Sequence, residues 1–178
     1  GYDPEDRKSG GNGYVPVTLQ YRPYQAVCAR QKSIAGGDPL EKSENRSYKN
    51  KWNQAANEED LDLVINMRKA MGDKPVIVIV SIKNPMVMSE FEPYADAILA
   101  EYGVMPQAVL DVITGKFEPR GLLPIQIPTN METVECQKED VALDMECYQD
   151  SEGHVYDFGY GLNFAGVISD FRTRRYKK

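Results

Sequence analysis

The sequence predicts an α/β fold, a three-layer sandwich in which a mostly parallel sheet is flanked by helices. The run PVIVIVSI (75–82) is continuously apolar and rich in β-branched residues, which is typical of a parallel strand covered on both faces. A helix pattern precedes this run, and strand, helix and strand patterns follow it. Helices that alternate with buried strands indicate α/β layering. A chain of 178 residues fits one domain, residues 1–178, with a substantial core.

Composition and charge argue against several classes of function. The chain is 42% hydrophobic and 27% charged, and its net charge of −6 disfavours a nucleic-acid partner. We expect no membrane partner, because no apolar run reaches the roughly 18 residues that a spanning helix needs. The polar start GYDPEDRKSGGNG does not resemble a signal peptide either. Neither a phosphate-binding loop nor a dinucleotide fingerprint occurs, so no cofactor is expected. The cellular compartment stays open.

The thiols and the single histidine do not form a metal-ligand pattern. Cys28, Cys136 and Cys147 lack the spacing of metal ligands, and their odd number favours buried or incidental free thiols. His154 has no cysteine or second histidine near it in sequence. We therefore interpret it as a turn residue and predict no metal site.

The first third of the chain carries few clear element signals. Residues 1–13 read as a loop rich in glycine and charge, and residues 14–30 mix aromatic and β-branched residues without periodicity. Residues 33–56 contain a Gly-Gly-Asp-Pro turn and few aliphatic residues. We interpret them as a long loop insertion, a kind of segment that is usually functional or disordered. At the other end, residues 168–178 read as a basic tail.

The helix and strand at the centre have recognisable ends. Asn57 can cap a helix that has Asp60 at its third position, and Gly72 supplies the stop. The apolar residues of this helix recur near helical spacing: Leu61, Val64, Ile65 and Met71. The strand 75–82 follows after a short turn, so the sequence predicts one helix packed on a buried strand.

Three further elements follow towards the C-terminus. The segment 95–102 could be helix or strand by periodicity, but its short length favours a second core strand. A helix is predicted to start at Pro106 and to end at Gly115. One face of that helix carries Val109, Val112 and Ile113. The segment GLLPIQIP (121–128) reads as a strand. Because Pro124 lacks an amide hydrogen, we expect this strand at a sheet edge or a bulge.

Two glycine-containing blocks carry a family resemblance. The segment 95–128 resembles the C-terminal α/β sandwich domain of family-3 glycoside hydrolases, the β-glucosidase and β-xylosidase group, in its Gly-x-x-x-Pro-x-Gly-x-Leu-Pro pattern. We call this pattern the Leu-Pro block; it consists of Gly115, Pro119, Gly121, Leu123 and Pro124. The sequence YDFGYGLNF (156–164) resembles the family's Tyr-x-Phe-Gly-Tyr-Gly-Leu-x-Tyr/Phe signature. We call it the aromatic-glycine block; its matching residues are Tyr156, Phe158, Gly159, Tyr160, Gly161, Leu162 and Phe164.

The aromatic-glycine block admits two interpretations. Gly159 and Gly161 allow backbone conformations that a Cβ would prevent, so the flanking rings could pack on the sheet and a neighbouring domain. Alternatively, the rings could stack directly on sugar. We favour packing, because the resemblance places the motif near the core of the domain.

The resemblance implies a role in a retaining β-glycosidase. Such a reaction needs two carboxyl groups about 5–5.5 Å apart, one as nucleophile and one as acid/base. In the family, the nucleophile is an Asp on an N-terminal (β/α) barrel, and the sandwich commonly lends the acid/base. We expect the chain to lack the barrel and the first strands of the sandwich. The implied partners are therefore the barrel of the same enzyme and a β-linked sugar, and we expect the isolated chain to be inactive.

The acid/base carboxylate is not identified by the sequence. If Gly1–Asp3 align with the family's Glu-Gly-x-Asp-Arg stretch, the critical Glu lies just before the first residue. The remaining candidates lie in the predicted loop: the carboxylates Asp38, Glu41 and Glu44, with Arg46 and Lys49 as donors to sugar hydroxyls. The alternative for all five is solvated loop charge. A general acid would need its pKa raised by burial or by a neighbouring carboxylate.

Two other classes remain to be weighed. The chain could be a non-catalytic carbohydrate-binding or interaction module of the same fold. A flavodoxin-like domain is disfavoured, because no phosphate-cradling loop is present. In either the enzyme or the module, an incomplete sheet exposes an unpaired edge, so we expect a homodimer or pairing with a partner. The sequence does not identify the sugar.

Overall fold

The elements described before residue 57 are two-residue strands, and the longest helices and strands follow that residue. The structure, a computed structural model, describes residues 2–3, 15–16, 19–29, 49–50, 52–53, 57–138 and 141–176. Two antiparallel pairs come first, β1 (Tyr2–Asp3) with β2 (Val15–Pro16) and β3 (Tyr24–Gln25) with β4 (Trp52–Asn53). The later elements are α1 (Glu58–Met71), β5 (Ile77–Ser81), β6 (Ala97–Glu101), α2 (Pro106–Ile113), α3 (Met131–Cys136), β7 (Leu162–Asn163), β8 (Gly166–Val167) and α4 (Phe171–Tyr176).

Strands β5 and β6 form a parallel pair, which confirms the α/β class. Their register runs from Ile77 opposite Ala97 to Ser81 opposite Glu101. The segment that was ambiguous by periodicity is therefore a strand, as predicted. Parallel strands need a crossover connection, and here it contains two 3-10 turns, Met88–Glu90 and Glu92–Tyr94.

Helix α1 has nearly the predicted bounds. Acidic side chains in its first turn and basic side chains in its last turn suit the helix dipole. Gly72 ends the helix with a positive φ of 56°, and its N–H donates to the Arg68 carbonyl at 3.2 Å. The predicted side-chain cap at Asn57 is wrong, because that side chain makes no capping hydrogen bond. Instead, the Asn57 carbonyl accepts from the Asp60 N–H at 3.1 Å.

The core lies between α1, one face of the β5–β6 pair and the crossover. Its buried members are Leu61, Val80, Ile82, Met88, Phe91 and Ile127. Tyr21, from the segment before β3, meets Phe91 edge-to-face with ring centroids 5.6 Å apart. The Glu90 carboxylate accepts hydrogen bonds from the backbone N–H groups of Tyr21 and Arg22 at 2.6 and 3.2 Å. The N-terminal segment is thereby attached to the crossover.

The β5–β6 pair has one packed face and one open face. Val78 and Val80 point into the core, whereas Ile77 and Ile79 point the other way and are 42% and 49% exposed. Side chains alternate along a strand, so an apolar run buries every residue only when both faces are covered. The run 75–82 was predicted to be covered on both faces, and within the described residues one face is open.

Residues 121–128 do not form the predicted strand. Pro124 and Pro128 each remove an amide hydrogen, so a continuous ladder cannot form along this segment. The segment instead bends at residues 124–125, and it makes scattered backbone hydrogen bonds and a single bridge between Pro128 and Cys147. The prediction of a strand here is therefore wrong. The expected interruption at Pro124 does occur, because proline has no amide hydrogen to donate.

The predicted helix after Pro106 is α2, and Gly115 follows it with a φ of 74°. Its apolar face is only partly covered: Val109 and Val112 are half-buried, and Ile113 is 36% exposed. Helix α2 therefore contributes less to the core than its pattern suggests. Within the described ranges, every helix is too short or too polar to cross a membrane.

Two segments that the sequence predicted to be a loop and a basic tail contain short regular elements. In the predicted loop 33–56, Trp52 and Asn53 form β4, and most of the other residues lie outside the described ranges. In the predicted basic tail, residues 171–176 form α4, with Thr173 buried. Arg172 reaches back to donate to the Arg120 carbonyl at 2.9 Å.

Candidate functional site

The predicted catalytic candidates are mostly outside the described part of the chain. Asp38, Glu41, Glu44 and Arg46 all fall there, so their placement is not described. Lys49 lies exposed in the turn before β4. The structure thus leaves the acid/base and sugar-donor roles of these residues as predictions, and the described residues point to a different part of the molecule.

The Leu-Pro block and the aromatic-glycine block lie directly against each other. The Leu123 N–H donates to the Tyr160 carbonyl at 2.7 Å, and the Leu123 carbonyl accepts from the Gly159 N–H at 2.8 Å. A Cβ on Gly161 would come within 2.2 Å of the Gly121 carbonyl oxygen, closer than any real Cβ contact. Gly159 has a φ of 84°, a conformation that favours glycine. Both glycines are therefore required by the contact between the two blocks.

A third segment completes this arrangement. The Ile127 N–H donates to the Tyr156 carbonyl at 3.0 Å, the Tyr156 N–H to the Tyr148 carbonyl at 2.9 Å, and the Tyr148 N–H to the Ile127 carbonyl at 2.8 Å. The three segments therefore share their backbone hydrogen bonds in a closed set. We call the region they form, residues 121–129 and 145–161, the interlocked scaffold.

The tyrosines of the scaffold form a row of rings. Ring centroids are 5.5 Å apart between Tyr148 and Tyr156, 5.1 Å between Tyr156 and Tyr160, and 5.9 Å between Tyr160 and His154. Burial raises the pKa of Tyr160 to about 12, and also raises the pKa values of Tyr148 and Tyr156. The Tyr148 hydroxyl donates to Glu92 Oε2 at 2.7 Å. These rings pack on one another, which is the behaviour expected of a scaffold.

Asp150 collects the hydrogen bonds at one end of this row. Its Oδ1 accepts from the Glu152 and His154 N–H groups at 3.0 and 2.8 Å, and its Oδ2 lies 3.0 Å from His154 Nδ1. The Tyr156 hydroxyl donates to Oδ2 at 3.3 Å. Burial opposes ionisation of Asp150, but the hydrogen bonds from His154 outweigh it and lower its pKa. His154 follows the turn at residues 151–152 and pairs with this carboxylate.

A cavity of about 390 Å³ opens beside the scaffold. It lies next to the loop that follows the carboxyl end of β5, which is where α/β folds usually bind ligands. Both blocks contribute to its wall, through Pro124 and Phe158. The other described lining residues are Leu19, Pro85, Ile125, Gln126, Val134, Gln137, Leu143 and Met145.

A part-buried polar link joins residues 126 and 157 at the cavity. Gln126 is 9% exposed, and its Nε2 donates to Asp157 Oδ1 at 2.8 Å. The same Asp157 oxygen accepts from the Phe158 N–H at 2.7 Å, which orients the residue whose ring lines the cavity. Sequence reasoning missed this link. Its signal was the single charge within the aromatic-glycine block and the single polar residue within PIQIP.

The chemistry available at the cavity is limited. None of its described lining residues is an Asp or Glu. No group of His, Cys, Asp or Glu side chains suited to hold a metal ion occurs within the described ranges. The cavity can therefore offer an apolar wall, one aromatic ring and amide groups to a ligand, but these residues do not supply a pair of carboxyl groups.

Comparison with known proteins decides the family. The sequence model of the glycosyl hydrolase family 3 C-terminal domain matches residues 26–164, a span that contains both blocks and all the described cavity-lining residues except Leu19. The chain belongs to this family. No solved structure matches the chain significantly.

Curated relatives of this family 3 domain are β-glucosidases. The chain is 40% identical to the probable beta-glucosidase C of Aspergillus flavus over 56% of its own length and 15% of that protein. It is 36% identical to the beta-glucosidase C of Emericella nidulans over 54% of its length and 15% of that protein. A periplasmic beta-glucosidase of Salmonella typhimurium is 25% identical over 60% of the chain and 16% of its own length. The chain thus spans about one sixth of the curated relatives it matches.

Proposed function

We propose that the chain is the C-terminal part of a retaining β-glucosidase-like enzyme that hydrolyses a β-linked sugar. In this proposal, the chain supplies active-site loops and part of the wall to an N-terminal (β/α) barrel that carries the Asp nucleophile. The observation that carries the proposal is the cavity at the scaffold, because both family blocks line it and no described lining residue is a carboxylate. A retaining reaction needs two carboxyl groups about 5–5.5 Å apart, so at least one must come from outside this wall.

The wall suits one side of a sugar site. The faces of pyranose rings carry C–H groups, and the Phe158 ring and the neighbouring prolines offer an apolar surface to such a face. The part-buried link between Gln126 and Asp157 holds the backbone of Phe158 in place. In this role the chain positions sugar, while the bond cleavage depends on groups of the barrel.

Activity of the isolated chain and of a chimera tests the proposal. We expect the isolated chain to leave p-nitrophenyl β-glucoside intact. We expect hydrolysis to persist when the chain's matching segment replaces its counterpart in the Aspergillus flavus relative. In that chimera, Phe158→Ala should lower kcat/KM about tenfold or more, whereas Phe117→Ala, at a ring that is 60% exposed, should leave it unchanged. Hydrolysis by the isolated chain, or equal effects of the two variants, would contradict the proposal.

Sugar titration separates this proposal from a carbohydrate-binding module. Calorimetry of the isolated chain with glucose and xylose should show no measurable affinity if the cavity is completed only by the barrel. Clear binding by the isolated chain would favour the module instead.

The open face of the β5–β6 pair supports the proposal that the chain packs against more of the same enzyme. Ile77 and Ile79 are exposed there, although parallel strands are ordinarily covered on both faces. The relatives are about six times longer than the matched segment, which leaves ample chain to provide the covering layer. Without that layer, we expect two copies to associate through this face and its edge. Light scattering should show a dimer that Ile79→Lys converts to monomer, and a monodisperse monomer of the unaltered chain would contradict this part.

A further inference from the structure

The segment that follows β3 carries Cys28 and contacts α3, which carries Cys136. Cys28 Sγ lies 3.4 Å from Glu132 Oε1, and the Cys28 N–H donates to Glu135 Oε2 at 3.1 Å. Both glutamates belong to α3, which also contains Cys136. Glu132 and Cys136 are four residues apart, so their side chains project from the same face of the helix. Cys28 therefore sits over the face that carries the Cys136 thiol.

The two thiols also influence each other directly. The pKa of Cys28 is raised to about 11, chiefly by the hydrogen bond to Glu132, with smaller contributions from burial and from the Cys136 thiol. Cys136 is exposed and Cys28 is half-buried, so small oxidants can reach the pair. Glu135, which is 6% exposed, holds the Cys28 backbone against α3.

We propose that Cys28 and Cys136 are a disulfide-forming pair that covalently joins the N-terminal segment to α3. Both thiols are reduced in this structure. This inference does not depend on the proposed sugar chemistry.

The reaction requires a disulfide oxidant, such as oxidised glutathione. The exposed Cys136 thiolate attacks one sulfur of the oxidant, forming a mixed disulfide and releasing one glutathione thiolate. Cys28 then loses its proton and attacks the Cys136 sulfur, which releases the second glutathione thiolate. In total, two protein thiols become one disulfide and oxidised glutathione becomes two reduced molecules.

The cross-link would join two walls of the cavity. Leu19 belongs to the segment that Cys28 attaches, and Val134 and Gln137 lie in or beside α3. A bond between residues 28 and 136 closes a long loop of chain. Such closures restrict the unfolded chain strongly, which is the main source of disulfide stabilisation in the chain-entropy description.

Peptide mapping tests the pairing directly. Trypsin should place the three cysteines on separate peptides, residues 9–30, 121–138 and 139–172. After native oxidation of the full chain with oxidised glutathione and alkylation of remaining thiols, we expect peptide 9–30 linked to peptide 121–138, and release of both by reductant. Cys147, whose Sγ accepts from Gln126 at 3.2 Å, should remain alkylated. Linkage of Cys147 to either partner, or no linkage under native conditions, would overturn the proposal.

Stability and rate measurements complete the test. Oxidation should raise Tm by roughly 5–10 °C in the unaltered chain and in Cys147→Ser, and should leave Tm unchanged in Cys28→Ser. Glu132→Gln should remove the main cause of the raised Cys28 pKa and accelerate cross-linking at pH 8 by about threefold or more. Glu118→Gln, at an exposed site, should not change the rate. Equal Tm shifts in all variants, or equal rates in the two glutamine variants, would contradict the pairing.

Discussion

The interlocked scaffold and the β5–β6 pair achieve stability in different ways. In the scaffold, three segments exchange backbone hydrogen bonds among themselves, and a glycine contact brings two of them close together. The β5–β6 pair has regular parallel hydrogen bonding, but one of its faces leaves isoleucines exposed. The contacts of the scaffold are therefore largely satisfied among its own segments, whereas the pair leaves one apolar face open within the described residues.

The difference also indicates which region carries family identity. Contacts that are satisfied internally constrain the local sequence: Gly161 lies against the Gly121 carbonyl, and Gln126 has Asp157 as its hydrogen-bond partner. A covered strand only needs apolar residues of suitable shape, so many sequences serve equally well. The parts of the two blocks that contact each other, residues 121–124 and 156–161, accordingly lie in the scaffold.

The glycine contact offers the strongest test of the comparison. Gly161→Ala places a Cβ 2.2 Å from the Gly121 carbonyl oxygen, so the two blocks must move apart. We expect a loss of about 3 kcal/mol or more in the free energy of unfolding, measured by urea titration. The matched control is Gly121→Ala, since a Cβ there meets no atom within 4 Å. Its cost should stay below about 1 kcal/mol, and similar losses in the two variants would show that the blocks can separate easily.

The two faces of the β5–β6 pair should differ by a smaller amount. Val80→Thr puts a hydroxyl into the core and should cost about 2 kcal/mol, because no polar partner is expected there. Ile79→Thr lies on the open face and should cost less than about 1 kcal/mol in the isolated chain. Chemical denaturation of both variants measures the difference. If Ile79→Thr is as costly as Val80→Thr in a monomeric chain, the face is covered by this chain's own residues.

Sequence reasoning succeeded where one local rule decides the structure. Gly72 and Gly115 follow helices α1 and α2 with positive φ, and the apolar run 75–82 contains β5. It failed at 121–128, where the apolar pattern favours a strand but two prolines remove ladder donors. The segment then depends on bonds to residues more than 30 positions away, such as that from Leu123 to Tyr160, which no local pattern reveals.

The candidate site was harder to predict than the fold. Its lining comes from Leu19, from the loop at Pro85 and from both blocks, so it exists only after the chain has folded. The Gln126–Asp157 link and the Cys28–Cys136 pair are likewise long-range. Two residues of the blocks named by the family resemblance, Pro124 and Phe158, line the cavity, whereas the charged candidates were predicted in a different segment, the loop 33–56, and remain predictions.

Acid should weaken the scaffold through Asp150. Its folded pKa lies below the ordinary value near 4, so its hydrogen bonds stabilise the fold above that value, and this contribution disappears as the pH falls through the folded pKa. We expect Asp150→Asn to cost about 1–2 kcal/mol at pH 7 and to flatten the loss of stability below pH 4. Unfolding titrations across this range measure the effect, with exposed Glu118→Gln as the control. If the free energy of unfolding of Asp150→Asn falls below pH 4 as steeply as that of the unaltered chain, other carboxylates cause the acid sensitivity.

The smallest change in the free energy of unfolding is expected at the link between Gln126 and Asp157. The coupling between these two residues shows whether their side chains stabilise the fold together or independently. Gln126 Nε2 lies 2.8 Å from Asp157 Oδ1, and the same oxygen also receives the Phe158 N–H. Replacing either residue by alanine leaves the other partly unsatisfied, so the double variant should cost less than the sum of the single variants. A double-mutant cycle by urea unfolding should give a coupling of about 1 kcal/mol.

For comparison, Gln107 and Asp111 form an exposed pair within α2, at 2.7 Å, that should couple by no more than about 0.5 kcal/mol. A coupling near zero at Gln126 and Asp157 would mean that backbone hydrogen bonds alone hold the blocks together, and that Phe158 is positioned without this side-chain link.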